Sequence, residues 1–179
     1  AVAITVRVST TRVSLLYPAE KMAPFFLLSR KLIYWGMQIT PISQSNLSKA
    51  VENATRALFK GNVLVCPTDT VYGLLADATS KKAVQKVFLI KGREKGKPLP
   101  IFVESIAIAK QLAKVSPHQE KFLRKSWPGK MTLVLESRGK LPRETGTAAY
   151  IGLRIPRHSF LRRVLKKIGR PLTGTSANL

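Results

Sequence analysis

Four short polar segments of this chain hold residue types whose spacing could do chemistry. Residues 91–98 read Lys-Gly-Arg-Glu-Lys-Gly-Lys-Pro. Here Lys91, Arg93, Lys95 and Lys97 fall at every second position, and in an extended chain alternate side chains project to one side. Such a comb can converge on a polyphosphate, with arginine gripping two oxygens at once. An exposed basic loop is the competing reading. Residues 67–73, Pro-Thr-Asp-Thr-Val-Tyr-Gly, follow an apolar run and bring hydroxyls and a carboxylate. That set fits an amino-acid ammonium or hydroxyl, or a turn closed by its own aspartate. Residues 127–132, Trp-Pro-Gly-Lys-Met-Thr, turn tightly into another apolar stretch. Thr132 then faces a pocket or simply serves as a strand former. Finally, Arg154 lies in Gly-Leu-Arg-Ile-Pro, among apolar neighbours where a guanidinium needs an anion. The anion is a ligand carboxylate or phosphate, Asp69, or Glu94. The string Thr-Gly-Thr-Ser-Ala-Asn at 173–178 adds backbone and hydroxyl donors of the kind that cradle anions.

None of these segments pairs a nucleophile with a base. Cys66 is the single cysteine and sits in an apolar run, so it reads as core. It leaves no disulfide framework and no cysteine-rich zinc site. His118 and His158, the two histidines, read as surface residues. No GxxxxGK[ST] phosphate loop occurs. The composition points instead to charge clamping, as in phosphoryl or nucleotidyl transfer, where positioning and neutralisation dominate. The chain carries 31 Lys+Arg against 9 Asp+Glu, a net charge of +22. A field of that sign attracts nucleotides, RNA or acidic membrane.

The elements that must position these segments follow from periodicity and punctuation. A helix with the stripe Leu47, Val51, Ala54 and Leu58 is capped by Ser45 or Ser48 and closed by Gly61. Val63–Cys66 is a continuous apolar run, which suits a strand buried on both faces. Ser80 caps a second helix, and Ser116-Pro117 opens another. Ile106–Leu112 and Phe160–Ile168 read as helices. Leu99–Val103, Met131–Leu135, Tyr150–Ile155 and Pro171–Thr175 read as strands. Alternation of this kind predicts an open α/β sheet with flanking helices, with the polar segments at strand and helix ends. Residues 1–36 look different: basic, Ser/Thr-containing and nearly free of acids, with no apolar run near the ~20 residues a membrane span needs. They read as a transit peptide or as an extension upstream of a true start at Met37, the second being preferred. Either way they are expected to stand outside the fold and to be dispensable for it.

In this order, PTDTVYGL at 67–74, KGREKGKPL at 91–99, WPGKMTLVL at 127–135, IGLRIPRH at 151–158 and TSANL at 175–179 resemble the YrdC/TsaC-like family, the threonylcarbamoyl-adenylate synthases. The resemblance covers residues 40–179. It implies a twisted mixed α/β sheet around a concave, positively charged cavity. It also implies a reaction in which L-threonine, bicarbonate and ATP give threonylcarbamoyl-AMP and pyrophosphate, for modification of tRNA position 37. By resemblance, Thr70, Thr132 and Ser176 fall at threonine-binding positions. Lys91, Arg93, Lys97, Pro128, Arg154 and Asn178 fall with the ATP. Mg²⁺ is expected to bridge the phosphates, with no ligands assigned. The implied partners are tRNA or double-stranded RNA and the downstream tRNA threonylcarbamoyl-transferase machinery, with no membrane. The implied location is cytoplasmic, or organellar if residues 1–36 are a transit peptide. Two departures stand out. Lys130 replaces a proline common in relatives, and relatives continue past Leu179, so residues 37–179 read as a domain truncated at its C-terminus. The alternatives are a non-catalytic double-stranded RNA or tRNA binding module, and a domain cut from a hydrogenase-maturation carbamoyl transferase. The latter's upstream zinc-finger and acylphosphatase segments have no counterpart in residues 1–36.

Overall fold

The computed structural model describes residues 2–6, 37–92, 97–145, 147 and 149–177. In chain order the elements are β1 (Val2–Val6), β2 (Met37–Pro41), α1 (Leu47–Phe59), β3 (Val63–Pro67), β4 (Tyr72–Leu75), α2 (Lys81–Lys91), β5 (Ile101–Phe102), α3 (Ile106–Leu112), α4 (Pro117–Ser126), β6 (Leu133–Glu136), β7 (Tyr150–Arg154), α5 (Ser159–Ile168), β8 (Leu172–Thr173) and β9 (Thr175–Ser176).

The strands form two sheets where the sequence predicted one. A five-stranded sheet has the order β2-β1-β3-β4-β9, and every neighbouring pair is antiparallel. A four-stranded mixed sheet has the order β6-β7-β5-β8, with only β5 and β7 parallel. Five consecutive residues stitch them together. Leu172 and Thr173 pair with β5, while Thr175 and Ser176 pair with β4. The Thr173 N–H donates to the Ala76 carbonyl at 2.9 Å, and the Thr173 hydroxyl accepts from the Ala76 N–H at 2.9 Å. Gly174 sits at the crossing, where an added Cβ would lie 2.7 Å from the Phe102 ring. The sequence showed a single strand over Pro171–Thr175 because propensity does not reveal which partner each half takes.

The run Val63–Pro67 is fully buried, and period-2 alternation explains how. Leu64 and Cys66 join one core with α1 and α5, whereas Val63 and Val65 join a second core with α2. A third core lies between the mixed sheet and α3 and α4, around Leu123, Trp127, Leu135 and Leu153. Burial pushes the Cys66 thiol far above its ordinary range, consistent with a core residue.

Local signals placed most helices correctly. Ser80 accepts from the Ala83 N–H, and Ser116 forms a reciprocal capping box with Gln119. The first helix differs: its N-cap is Asn46, which makes no side-chain cap, since its Oδ1 accepts from the Ser43 N–H instead.

Residues 1–36 were expected to lie outside the fold, and for Val2–Val6 the structure overturns this. These residues form the second strand of the five-stranded sheet, pairing with β2 on one side and β3 on the other. Ala3 is buried in the core with α1 and α5. Alternation in a stretch of five residues is too short a signal to separate a strand from a β-branched leader. The rest of that segment lies outside the described residues.

Candidate active site

The Pro67–Gly73 loop folds back on itself where β3 ends. The Thr68 hydroxyl donates to the Val71 carbonyl at 2.7 Å and accepts from the Thr70 N–H at 3.0 Å. The Thr70 hydroxyl lies 3.0 Å from that of Thr68 and is exposed. Gly73 packs closely at the loop's far end, where an added Cβ would lie 3.2 Å from the Thr68 methyl and 3.2 Å from the Leu75 side chain.

Asp69 anchors this loop to the second sheet. One carboxylate oxygen accepts from the Arg154 guanidinium at 2.6 Å, and the other from the Arg157 backbone N–H at 3.0 Å. The two side chains of the ion pair are 9% and 10% exposed. Burial raises the affinity of Asp69 for a proton, but the bonds from Arg154 and Arg157 and the charge of Arg154 outweigh it. They hold the carboxyl below its usual range. Of the anions left open for Arg154 by the sequence, Asp69 pairs with it, while Glu94 lies outside the described residues.

The same two arginines hold the Trp127–Gly129 turn. Arg154 Nε donates to the Gly129 carbonyl at 2.8 Å, and Arg157 Nε to the Pro128 carbonyl at 3.2 Å. The Gly129 N–H donates to the Ile155 carbonyl at 2.9 Å, and the Trp127 indole to the Met131 carbonyl at 2.8 Å. The Trp127–Pro128 peptide bond is cis. Thr132 falls one residue before β6, not inside it, and is exposed beside Gly152 of β7. An added Cβ on Gly152 would meet the Thr132 methyl at 3.3 Å.

A second knot ties the end of α2 to β9. Lys91 Nζ donates to the Ser176 carbonyl at 3.0 Å and to its hydroxyl at 3.2 Å. Ser176 lies opposite Gly73 in the sheet, so Lys91, Ser176 and the Thr68–Val71 loop share one end of the five-stranded sheet. Lys97 is exposed. Arg93 and Asn178 lie outside the described residues.

The predicted segments therefore meet in two linked groups: Asp69 with Arg154 and the Pro128 turn, and Lys91 with Ser176. Sequence reasoning missed Arg157, because its bond to Asp69 comes from the backbone and leaves no mark in residue type. His158, read as a surface residue, is half-buried. Its Nδ1 is buried without a hydrogen-bond partner, and burial, only partly offset by the Asp69 charge, lowers its proton affinity. Among the described residues no group of three or more His, Cys, Asp or Glu could hold a metal. Asp69, the carboxylate at the site, has both oxygens committed.

This is an α/β domain of two joined sheets, with cationic and hydroxyl-bearing segments gathered near their junction. The chain belongs to the Sua5/YciO/YrdC family, whose model, described as "Telomere recombination", matches residues 56–179. It is 35% identical over 137 residues to the threonylcarbamoyl-AMP synthase of Mus musculus, covering 76% of this chain and 49% of that protein. It is 37% identical over 122 residues to the threonylcarbamoyl-AMP synthase of Pyrococcus abyssi, covering 67% of this chain and 36% of that one. Among solved structures it is similar to P. abyssi Sua5 complexed with L-threonine, with a TM-score of 0.67 and 33% identity over 78% of this chain and 40% of that one. The chain thus spans about half or less of these relatives' length.

Proposed function

We propose that this chain forms threonylcarbamoyl-AMP. The threonine amine captures bicarbonate as a carbamate with loss of water. A carbamate oxygen then attacks the α-phosphate of ATP, and pyrophosphate leaves, which makes the protein a nucleotidyltransferase. The observation that carries the reading is the Asp69 bridge. One carboxylate ties the hydroxyl-bearing loop to Arg154, Arg157 and the Pro128 turn. The likeness to a Sua5 structure holding L-threonine adds the amino-acid substrate.

In this reading Thr70, Thr132 and Ser176 receive threonine across a concave, positive cavity. Lys91, Arg93, Lys97, Pro128 and Asn178 line the ATP path. Arg154 acts mainly through Asp69, fixing the loop that carries Thr70. Both oxygens of Asp69 are occupied, so the described residues do not fit a protein-held Mg²⁺. Bicarbonate and tRNA enter as co-substrate and eventual acceptor, in the cytoplasm. No helix among the described residues is long and apolar enough to cross a membrane.

Incubation with threonine, bicarbonate and α-phosphate-labelled ATP should yield a labelled adenylate that requires both threonine and bicarbonate. No such product, with RNA binding retained, would favour a non-catalytic RNA-binding module. Arg93→Ala should weaken ATP binding by about 1.5–3 kcal/mol, the worth of a hydrogen bond to a charged group. Unchanged ATP affinity by calorimetry would remove Arg93 from the site.

A further inference from the structure

Away from the site, the outer face of α5 concentrates positive charge that the fold does not use. Its inner face, Phe160, Leu161, Val164, Leu165 and Ile168, is buried and completes the core against α1. Its outer face presents Arg162, Arg163, Lys166 and Lys167, all exposed. Every described Asp or Glu in an ion pair is matched to some other cation, so these four have no carboxylate partner among the described residues.

Helix physics accounts for half of this arrangement. Lys166 and Lys167 lie in the last turn, where the helix dipole favours cations. Arg162 and Arg163 lie in the first half, where it does not. The pairs 162/166 and 163/167 also place like charges at i, i+4, which destabilises a helix. Two shallow depressions of about 250 and 300 Å³ flank this ridge and share Arg163 and Lys166. One is walled by Ser48 and Val51 of α1. The other reaches Arg157, whose backbone holds Asp69, and includes the carboxylate of Glu104.

We propose that the outer face of α5, with its two depressions, binds the phosphate backbone of an RNA. Cations on successive turns, about 5.4 Å apart, suit a chain of phosphates. The depressions lie on both sides of the ridge, so one small anion cannot occupy both. Basic membrane-surface helices pair their charge with exposed apolar anchors. None of the exposed large apolar side chains lies on α5. The choice of RNA draws on the reading above, in which the activated group is made for a tRNA, whereas the surface itself does not.

The test uses the full chain, a fluorescent tRNA transcript and a salt series. The variant R162Q/R163Q/K166Q/K167Q is compared with K82Q/K121Q/K125Q/K140Q, which removes the same charge from other exposed positions. The α5 variant should lose about tenfold or more in tRNA affinity at physiological salt. Its slope of log Kd against log salt should fall by about 3, near 0.7–0.9 per lost phosphate contact. The control should change about threefold or less. Pyrophosphate release should be unaltered in both. If the quadruple variant fails to fold, R162Q/R163Q should lower the slope by about 1.5. Equal losses in the two quadruple variants would reduce the effect to net charge and overturn the proposal. So would loss of binding to phosphatidylserine vesicles with tRNA binding intact. A chain that binds tRNA through α5 yet releases no pyrophosphate overturns the adenylate reading and leaves this surface standing.

Discussion

At the scale of single residues, Asp69 connects stability to the site. Its pair with Arg154 is nearly sealed from water, and removing one partner of such a pair leaves a buried charge unmet. Asp69→Asn should cost about 3 kcal/mol in chemical denaturation. The pH dependence has a defined sign. A carboxyl held below its ordinary value of about 3.9 adds stability above that pH, and this is lost as pH falls through the depressed value. The wild type should therefore lose stability below about pH 4, and the asparagine variant should show a flatter acid limb over that range. A variant with the same limb would assign acid sensitivity to other carboxylates. Substrate choice belongs to this scale too. Thr70 and Thr132 both carry exposed hydroxyls near the junction, and a site that hydrogen-bonds a substrate hydroxyl rejects an analogue lacking it. A slot for the methyl alone would separate threonine from serine by only about 1–3 kcal/mol. Pyrophosphate release should be fastest with threonine, weak with serine and scarce with valine. Equal rates for threonine and valine would remove both residues from an amino-acid pocket.

At the scale of elements, the sequence was most legible where a local signal sufficed. Ser80 and Ser116 cap their helices because a hydroxyl at that place satisfies a free N–H whatever the rest of the chain does. Pairing across distance was not legible. Nothing in Val2–Val6 announces that it lies between Met37–Pro41 and Val63–Pro67, nor that the halves of 172–176 serve different sheets. The site divides in the same way. The motif segments identified its parts, but the bonds that Asp69 makes to the Arg154 side chain and the Arg157 backbone depend on where loops meet. The strand β1 reverses one expectation outright. A chain starting at Met37 would leave β2 without its β1 partner and β3 with an open edge, and would uncover the core around Ala3. It should lose more than about 4 kcal/mol, or unfold without a cooperative transition. A melting curve matching that of the longer chain would show that the strand is expendable.

At the scale of the whole molecule, charge is the outstanding term. With a net charge of +22, cation–cation repulsion opposes compaction, and exposed ion pairs such as Arg56–Glu52 return little of it. Raising salt from about 20 mM to about 300 mM shortens the screening length from roughly 20 Å to roughly 6 Å. The melting temperature should rise by about 2–4 °C over that range, equivalent to about 1 kcal/mol. A fall would mean that attractive pairs outweigh the repulsion.

The five residues 172–176 close the edge of both sheets, and they come after every other described strand in the chain. During synthesis neither sheet is finished until this stretch has been made. Until then β4 and β5 each present unpaired backbone groups, the kind of edge on which strands of other chains can add. The nascent protein is therefore most exposed to misassembly late, just before these residues arrive. A chaperone that shields strand edges would matter most in that interval.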